Sequence, residues 1–170
     1  MRSAKRNLLL SAILFFVFSA STLCAQGGIG NMPRTDLVML SAVTRDSLAD
    51  ELLAKIEQLR SFAQQNKLDS AGFIIAYDGG KEKVGKWARA VNLGDAEEKA
   101  RVVLFLDKLN KLYATSPQVH HEYFAAFKDK DNPAGMMLLY QIKYVTGKTS
   151  HMVSYRFYPI GDVLMLGEIQ

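Results

Sequence analysis

"YQIKYVTGKTSHMVSYRF", residues 140–157, decides how the rest of the chain is read. Its centre, Gly147-Lys148-Thr149, matches the end of a nucleotide-binding P-loop. A P-loop also needs a glycine five residues before its second one. It leads from a strand into a helix, whose N-terminus holds the phosphate. Position 142 is Ile, and "TSHMVSYRFY" after the lysine alternates as a strand does. The segment is therefore a hairpin closed by two residues, and glycine in first place predicts the type II′ turn. Nucleotide binding is rejected here.

The turn imposes a register that chemistry can check. Thr146 opposes Thr149, Tyr144 opposes His151, Ile142 opposes Val153, Tyr140 opposes Tyr155 and Leu138 opposes Phe157, all on one face. The reverse face pairs Val145 with Ser150, Lys143 with Met152, Gln141 with Ser154 and Leu139 with Arg156. The first set is aromatic and aliphatic, the second mostly polar. A slip of one residue would mix them.

Outward from this hairpin the period stays at two. Strands are expected at about 118–128, 135–146, 149–158 and 163–169, linked by "DKDNPA", "GK" and "PIGD". Links this short make an antiparallel meander of four strands. Val119, His121, Tyr123, Ala125 and Phe127 are expected on the inner face, extended by Leu164 and Leu166. A bulge at Gly167 would let Ile169 join them and leave Glu168 outside.

Upstream the period is helical. In residues 41–66, Leu48, Leu52, Ile56, Leu59 and Ala63 form one stripe, with Thr44 or Asp46 as cap. Asp69 opens a shorter helix, "SAGFIIAY" (70–77), whose Phe73 and Ile74–Ile75 also suit a strand. "DGGKEKVGKWARAVNLGD" (78–95) is irregular and holds the only Trp, Trp87. Asp95 with Glu98 then starts a third helix, whose buried stripe is Val102, Leu106, Leu109 and Tyr113. The expected fold class is α+β: two to three N-terminal helices packed on a curved, cone-like, four-stranded antiparallel sheet.

The first helix running into "NKLDSAGFIIAYDGG", a later helix before the long strands, and the terminal "YRFYPIGDVLMLGEI" carry a resemblance. Over about residues 44–169 the layout resembles the nuclear-transport-factor-2-like superfamily, which includes ketosteroid isomerases, dehydratases and secreted domains of unknown role. A cystatin-like helix-on-sheet arrangement is the nearest alternative. The superfamily's early hairpin between second and third helices is not expected here, because residues 78–95 alternate poorly. The resemblance implies a cone, either filled by side chains or open as a pocket. It also implies that an enzyme of this kind would carry an inward acid or a His–Asp pair. No inward strand position here is an Asp.

The candidate pocket is lined by His121, Tyr140, Tyr144, His151 and Tyr155, with Trp87 at its mouth. Aromatic walls with polar tips suit a small apolar or aromatic ligand, and a histidine there suits proton transfer. The competing reading is that the tyrosines are core, hydrogen-bonded at the rim. "HHEYFA" (120–125) does not bind zinc as a helix would, since alternation sends His120 and His121 to opposite faces. "DKDNPAG" (129–135) lacks the bidentate Glu of a calcium loop and reads as a solvated turn. No cofactor is expected.

Two functions follow as expectations. The first is a non-catalytic secreted or periplasmic domain binding a small molecule or a protein partner. The alternative is a small isomerase- or dehydratase-like enzyme with a pocket histidine as general acid or base. A homodimer through the outer sheet face would use Met137, Leu139, Met152 and Tyr158.

The compartment is read from residues 1–25. Arg2, Lys5 and Arg6 precede the uncharged run "LLLSAILFFVFSA" and the small-residue zone "STLCAQG", a cleaved signal peptide. The run is too short for a membrane anchor, so none is expected after cleavage. Cleavage takes three of the 21 Lys+Arg, leaving 18 against 17 Asp+Glu, a net charge of 21 − 3 − 17 = +1. That balance offers nothing to nucleic acid. Cys24 is the only cysteine, so the mature domain rests on its core without disulfides. Residues 26–43 are expected to be flexible and 44–170 to form one domain.

Overall fold

A computed structural model describes residues 37–80 and 85–170. The expected signal peptide, residues 1–25, lies outside the described residues. In chain order the elements are β1 (Leu37–Val38), α1 (Ala42–Gln64), α2 (Leu68–Gly72), α3 (Ala96–Tyr113), β2 (Gln118–Lys128), β3 (Met136–Thr146), β4 (Thr149–Ile160) and β5 (Val163–Ile169). The class is α+β, with the helices ahead of the long strands. The sheet has five strands in the order β1-β2-β3-β4-β5, every neighbour antiparallel. It is not closed.

The expected four-stranded sheet is thus corrected to five. The extra strand lies in the segment expected to be flexible: Leu37 pairs with Phe127 and Val38 with Ala126. Two residues are too few to set a period, yet they occupy the otherwise open edge at the end of β2. Helix α1 also starts earlier than expected. Ser41, not Thr44 or Asp46, is its cap, and its Oγ accepts from the Thr44 N–H at 3.2 Å. Asp95 caps α3 as expected, accepting from Glu97 and Glu98 N–H.

The central hairpin has every expected pair, from Leu138↔Phe157 to Thr146↔Thr149. Gly147 has φ of 59° while Lys148 is not left-handed, as a II′ turn requires. In β5, Glu168 pairs with Arg156 and Leu166 with Phe157, so Gly167 is the extra residue. Ile169 consequently joins the inner core, and Glu168 turns outward onto Arg156 at 2.8 Å.

β2 departs from expectation. His121 pairs with Ile142 but Tyr123 with Gln141, so Glu122 is an extra residue. One extra residue reverses every side chain beyond it. Val119 keeps its place against the inner core, but from there on Phe124 and Ala126 face that core. Tyr123, Ala125 and Phe127, expected inside, pack on the opposite face.

That opposite face is covered. α2 is shorter than the expected 70–77 helix: it stops at Gly72, where any Cβ would lie 2.8 Å from Leu93 Cδ1. The chain then pairs Ile75 with Leu166 of β5 in parallel and Ala76 with Ala90 in antiparallel. Tyr77 N–H donates to Arg89 O (2.9 Å) and Val91 N–H to Ile75 O (3.0 Å). An early hairpin therefore exists where none was expected. It is too short, and too interrupted by Trp87 at φ 56°, to show alternation.

Two cores result. The helices cover the inner face, burying Leu48, Leu52, Ile56, Val102, Leu109, Ile142, Tyr155 and Phe157 among others. The early hairpin covers the outer face, where Trp87 joins Ala125, Phe127, Met137, Leu139, Tyr158 and Met165. Of the four residues expected to form a dimer surface, Met137, Leu139 and Tyr158 are therefore buried by the chain itself. Only Met152 is exposed.

Candidate functional site

The inner candidates are held by the hairpin register and by two helices. Tyr144 and Tyr155 lie on adjacent strands with their Oη atoms 2.6 Å apart. Tyr113, in the last turn of α3, brings its Oη to 3.1 Å from Tyr144 Oη. Glu57 of α1 accepts from Tyr113 at 3.4 Å, and the Arg60 guanidinium lies 4.0 Å over the Tyr113 ring. The result is a relay of hydroxyls from core to surface. Tyr155 is 0% and Tyr144 2% exposed, so these rings fill the space between helices and sheet rather than line a chamber.

Burial is the largest cause holding the Tyr113, Tyr144 and Tyr155 hydroxyls above the ordinary tyrosine range. They are neutral donors and acceptors, not proton-transfer groups near neutral pH. Tyr140 Oη meets His121 Nδ1 at 3.2 Å, with the rings edge-on. Its hydroxyl too is raised, by burial first and by Asp50 second. His121 itself is exposed at the edge of the sheet, and His151 is exposed beside the hairpin turn. The structure thus brings together Tyr144 with Tyr155, and Tyr140 with His121. His151 opposes Tyr144 across the hairpin but is turned to solvent.

Removing one hydroxyl tests the relay. Tyr144→Phe leaves the buried Tyr155 Oη without its partner, at about 1–3 kcal/mol. Tyr155→Phe leaves Tyr144 bonded to Tyr113 and costs ~1 kcal/mol or less. Urea unfolding is expected to place Tyr144→Phe below Tyr155→Phe in stability. The reverse order would contradict the relay.

Trp87 is not at the mouth of this space. It lies on the opposite face, stacked on Tyr158 with centroids 4.3 Å apart and planes 7° apart. The cause is again the early hairpin, which carries residue 87 across the outer side of β5. There Trp87 borders a groove of about 330 Å³ with Asp78, Lys86, Arg101, Phe105 and β5 residues Gly167, Glu168 and Ile169. A second pocket, of about 440 Å³, is bordered by Gly85, Lys86, Ala88, Asp131 and Pro133. Neither is lined by His121, Tyr140, Tyr144, His151 or Tyr155.

Arg101 organises the groove. Its Nη1 donates to Asp78 Oδ2 and its Nη2 to Gly167 O at 2.7 Å, with the guanidinium 5.0 Å from the Phe105 ring centre. Nothing in the chain marks this residue beyond a helical position, because its partners lie 23 and 66 positions away. Asn132 was missed for the same reason. Expected in a solvated loop, it is 2% exposed, with Nδ2 donating to Trp87 O (2.9 Å) and Pro159 O (3.0 Å). Among the described residues no cluster of His, Cys, Asp and Glu is arranged to hold a metal. Among them, too, no helix is long and apolar enough to cross a membrane.

Comparison with protein families, curated proteins and solved structures gives no match.

Proposed function

We propose that the protein is a non-catalytic secreted or periplasmic domain that recognises a protein partner on its surface. The observation that carries this reading is the filled inner space. Tyr144 and Tyr155 are buried and bonded to each other, so their rings fill the space a ligand would need, and burial holds the Tyr144 hydroxyl above the ordinary tyrosine range. The outer groove beside Arg101, by contrast, offers open charge, backbone and aromatic surface. The compartment rests on the basic start and apolar run of residues 1–25. The pairing of residues 75–77 with 89–91 between α2 and α3 supports membership of the nuclear-transport-factor-2-like superfamily, since it supplies the hairpin that the sequence alone did not show.

A second reading keeps one supporting observation. His121 is accessible and bonded to Tyr140, a pairing that orients its imidazole for acid–base work in an isomerase- or dehydratase-like reaction. The two readings separate in one set of assays. Surface recognition predicts no turnover of enolisable ketones or hydroxy compounds, and no ring compound whose stabilising effect depends on the inner tyrosines. Turnover that disappears in His121→Ala would overturn the non-catalytic reading. A ring compound that raises Tm in the wild type but not in Tyr144→Phe would overturn the surface reading.

A further inference from the structure

β5 is an edge strand, and its outer side is completed in two different ways. At Leu166 the completion is a strand: Leu166 N–H donates to Ile74 O (2.9 Å) and Ala76 N–H donates to Leu166 O (2.8 Å). Further along, side chains from α3 take over. Arg101 Nη2 donates to Gly167 O at 2.7 Å and Lys108 Nζ donates to Ile169 O at 2.6 Å. Residues 101 and 108 are seven apart, about two helical turns, so they project from one face of α3. Two cations thus stand where the backbone of another strand would donate. Lysine on an edge is a common way to keep other chains from pairing there. Here, however, the groove of about 330 Å³ opens along the same carbonyls, with Phe105 in its wall.

Two further observations point to a ligand. Arg101 Nε and Nε1 of Trp87, which is 1% exposed, are buried donors without a partner among the described residues, and both residues border the groove. Buried donors left unpaired are costly, and native structures hold few of them. The surrounding charge is also unbalanced. Lys86 pairs with Asp131, Arg101 with Asp78 and Arg156 with Glu168, which leaves Lys108, held at the Ile169 carbonyl, as the excess cation among these residues.

We propose that the β5 edge from Gly167 to Ile169 is a strand-addition site for an extended, acidic segment of a partner protein. The incoming backbone N–H groups accept the role now played by Arg101 and Lys108 at Gly167 O and Ile169 O. Lys108, released from Ile169 O, pairs with a carboxylate of the segment while Arg101 keeps Asp78, and an apolar side chain of the segment lies against Phe105. This inference rests on the surface-recognition reading and names its site and partner chemistry.

The test uses the full mature chain and a capped peptide of alternating Glu and Val. Trp87, the only tryptophan, reports from the groove wall, and the Ile169 amide resonance reports from the strand. The expected result is a saturable change in both signals. Lys108 is exposed, so Lys108→Glu should keep the fold while weakening binding about tenfold or more. A peptide with a central proline should not bind, because it cannot supply the ladder N–H. Equal binding of a Lys–Val peptide, equal binding of free glutamate, or no response to the Glu–Val peptide would each overturn the proposal. Those failures leave the surface reading standing, since turnover and interior ligands judge that reading separately.

Discussion

Gly167→Ala is expected to lower stability by about 3 kcal/mol, the upper end of overpacking costs. A Cβ at 167 would lie 2.4 Å from Tyr158 Cε2 and 2.7 Å from Trp87 Cζ3. Those two rings are stacked on each other and buried, so neither can withdraw without breaking the stack. Residue 167 also forms the bulge that sends Ile169 inward and Glu168 outward, and its carbonyl holds Arg101. Gly161→Ala is the control. Gly161 has φ of 57° with nothing near its Cβ position, so only left-handed strain of about 1–2 kcal/mol applies. Equilibrium unfolding of the two variants should rank them in that order, with loss of the Trp87 fluorescence signature in Gly167→Ala alone. A Gly167→Ala protein as stable as the wild type would mean that the outer core is not packed as described.

Asn132→Ala is the second large effect, at about 2–4 kcal/mol. One side-chain amide here bridges the Trp87 and Pro159 carbonyls, tying the early hairpin to the end of β4. Its own Oδ1 accepts from Ala134 N–H at 2.9 Å and shapes the β2–β3 turn. Truncation leaves two buried carbonyls without donors, each costing about 1–3 kcal/mol, partly relieved by water entering the gap. Asn132→Asp separates donation from packing. The carboxylate has the same shape but cannot donate, and it repels both carbonyls, so it should be at least as damaging as Ala. If Asp were tolerated and Ala were not, packing rather than hydrogen bonding would hold the hairpin down.

The parts of this fold that were legible in the sequence are those where local chemistry leaves one choice. The 138–157 hairpin is one, because a two-residue turn fixes the register and a polar face opposes an apolar one. The Gly167 bulge is another, because without it Ile169 would be exposed and Glu168 buried. The Glu122 bulge was hidden for the opposite reason. Beyond it, Tyr123, Ala125 and Phe127 on one face and Phe124 and Ala126 on the other are all apolar, so either phase buries hydrophobic surface. The outer face looked solvated because its cover, the segment around Trp87, has no periodicity and is placed by contacts distant in sequence.

The same distance effect explains the site. Tyr144 and Tyr155 were found together because they are register neighbours. Tyr113 was legible only as part of a buried helical stripe, and Glu57 and Arg101 not at all, since helix-to-sheet contacts leave no spacing in the chain. Trp87 was expected at the pocket mouth because aromatic residues in irregular stretches give no sign of which face they will cover.

The central claim is that tyrosine rings, not solvent or ligand, occupy the space between helices and sheet. Alkaline titration of tyrosinate absorbance, read beside far-ultraviolet circular dichroism, tests it most directly. A tyrosine raised above its ordinary 10.0 in the fold stabilises the protein fully below that value. That stability falls as pH rises beyond it, because the unfolded chain ionises first. The account predicts that Tyr113, Tyr144 and Tyr155 stay neutral until the fold is lost, so their absorbance rises in one step with the loss of dichroism. Tyr144→Phe should shrink that step. Ionisation of these three near pH 10.0 with the dichroism still native would contradict the account, because it would require water throughout the space.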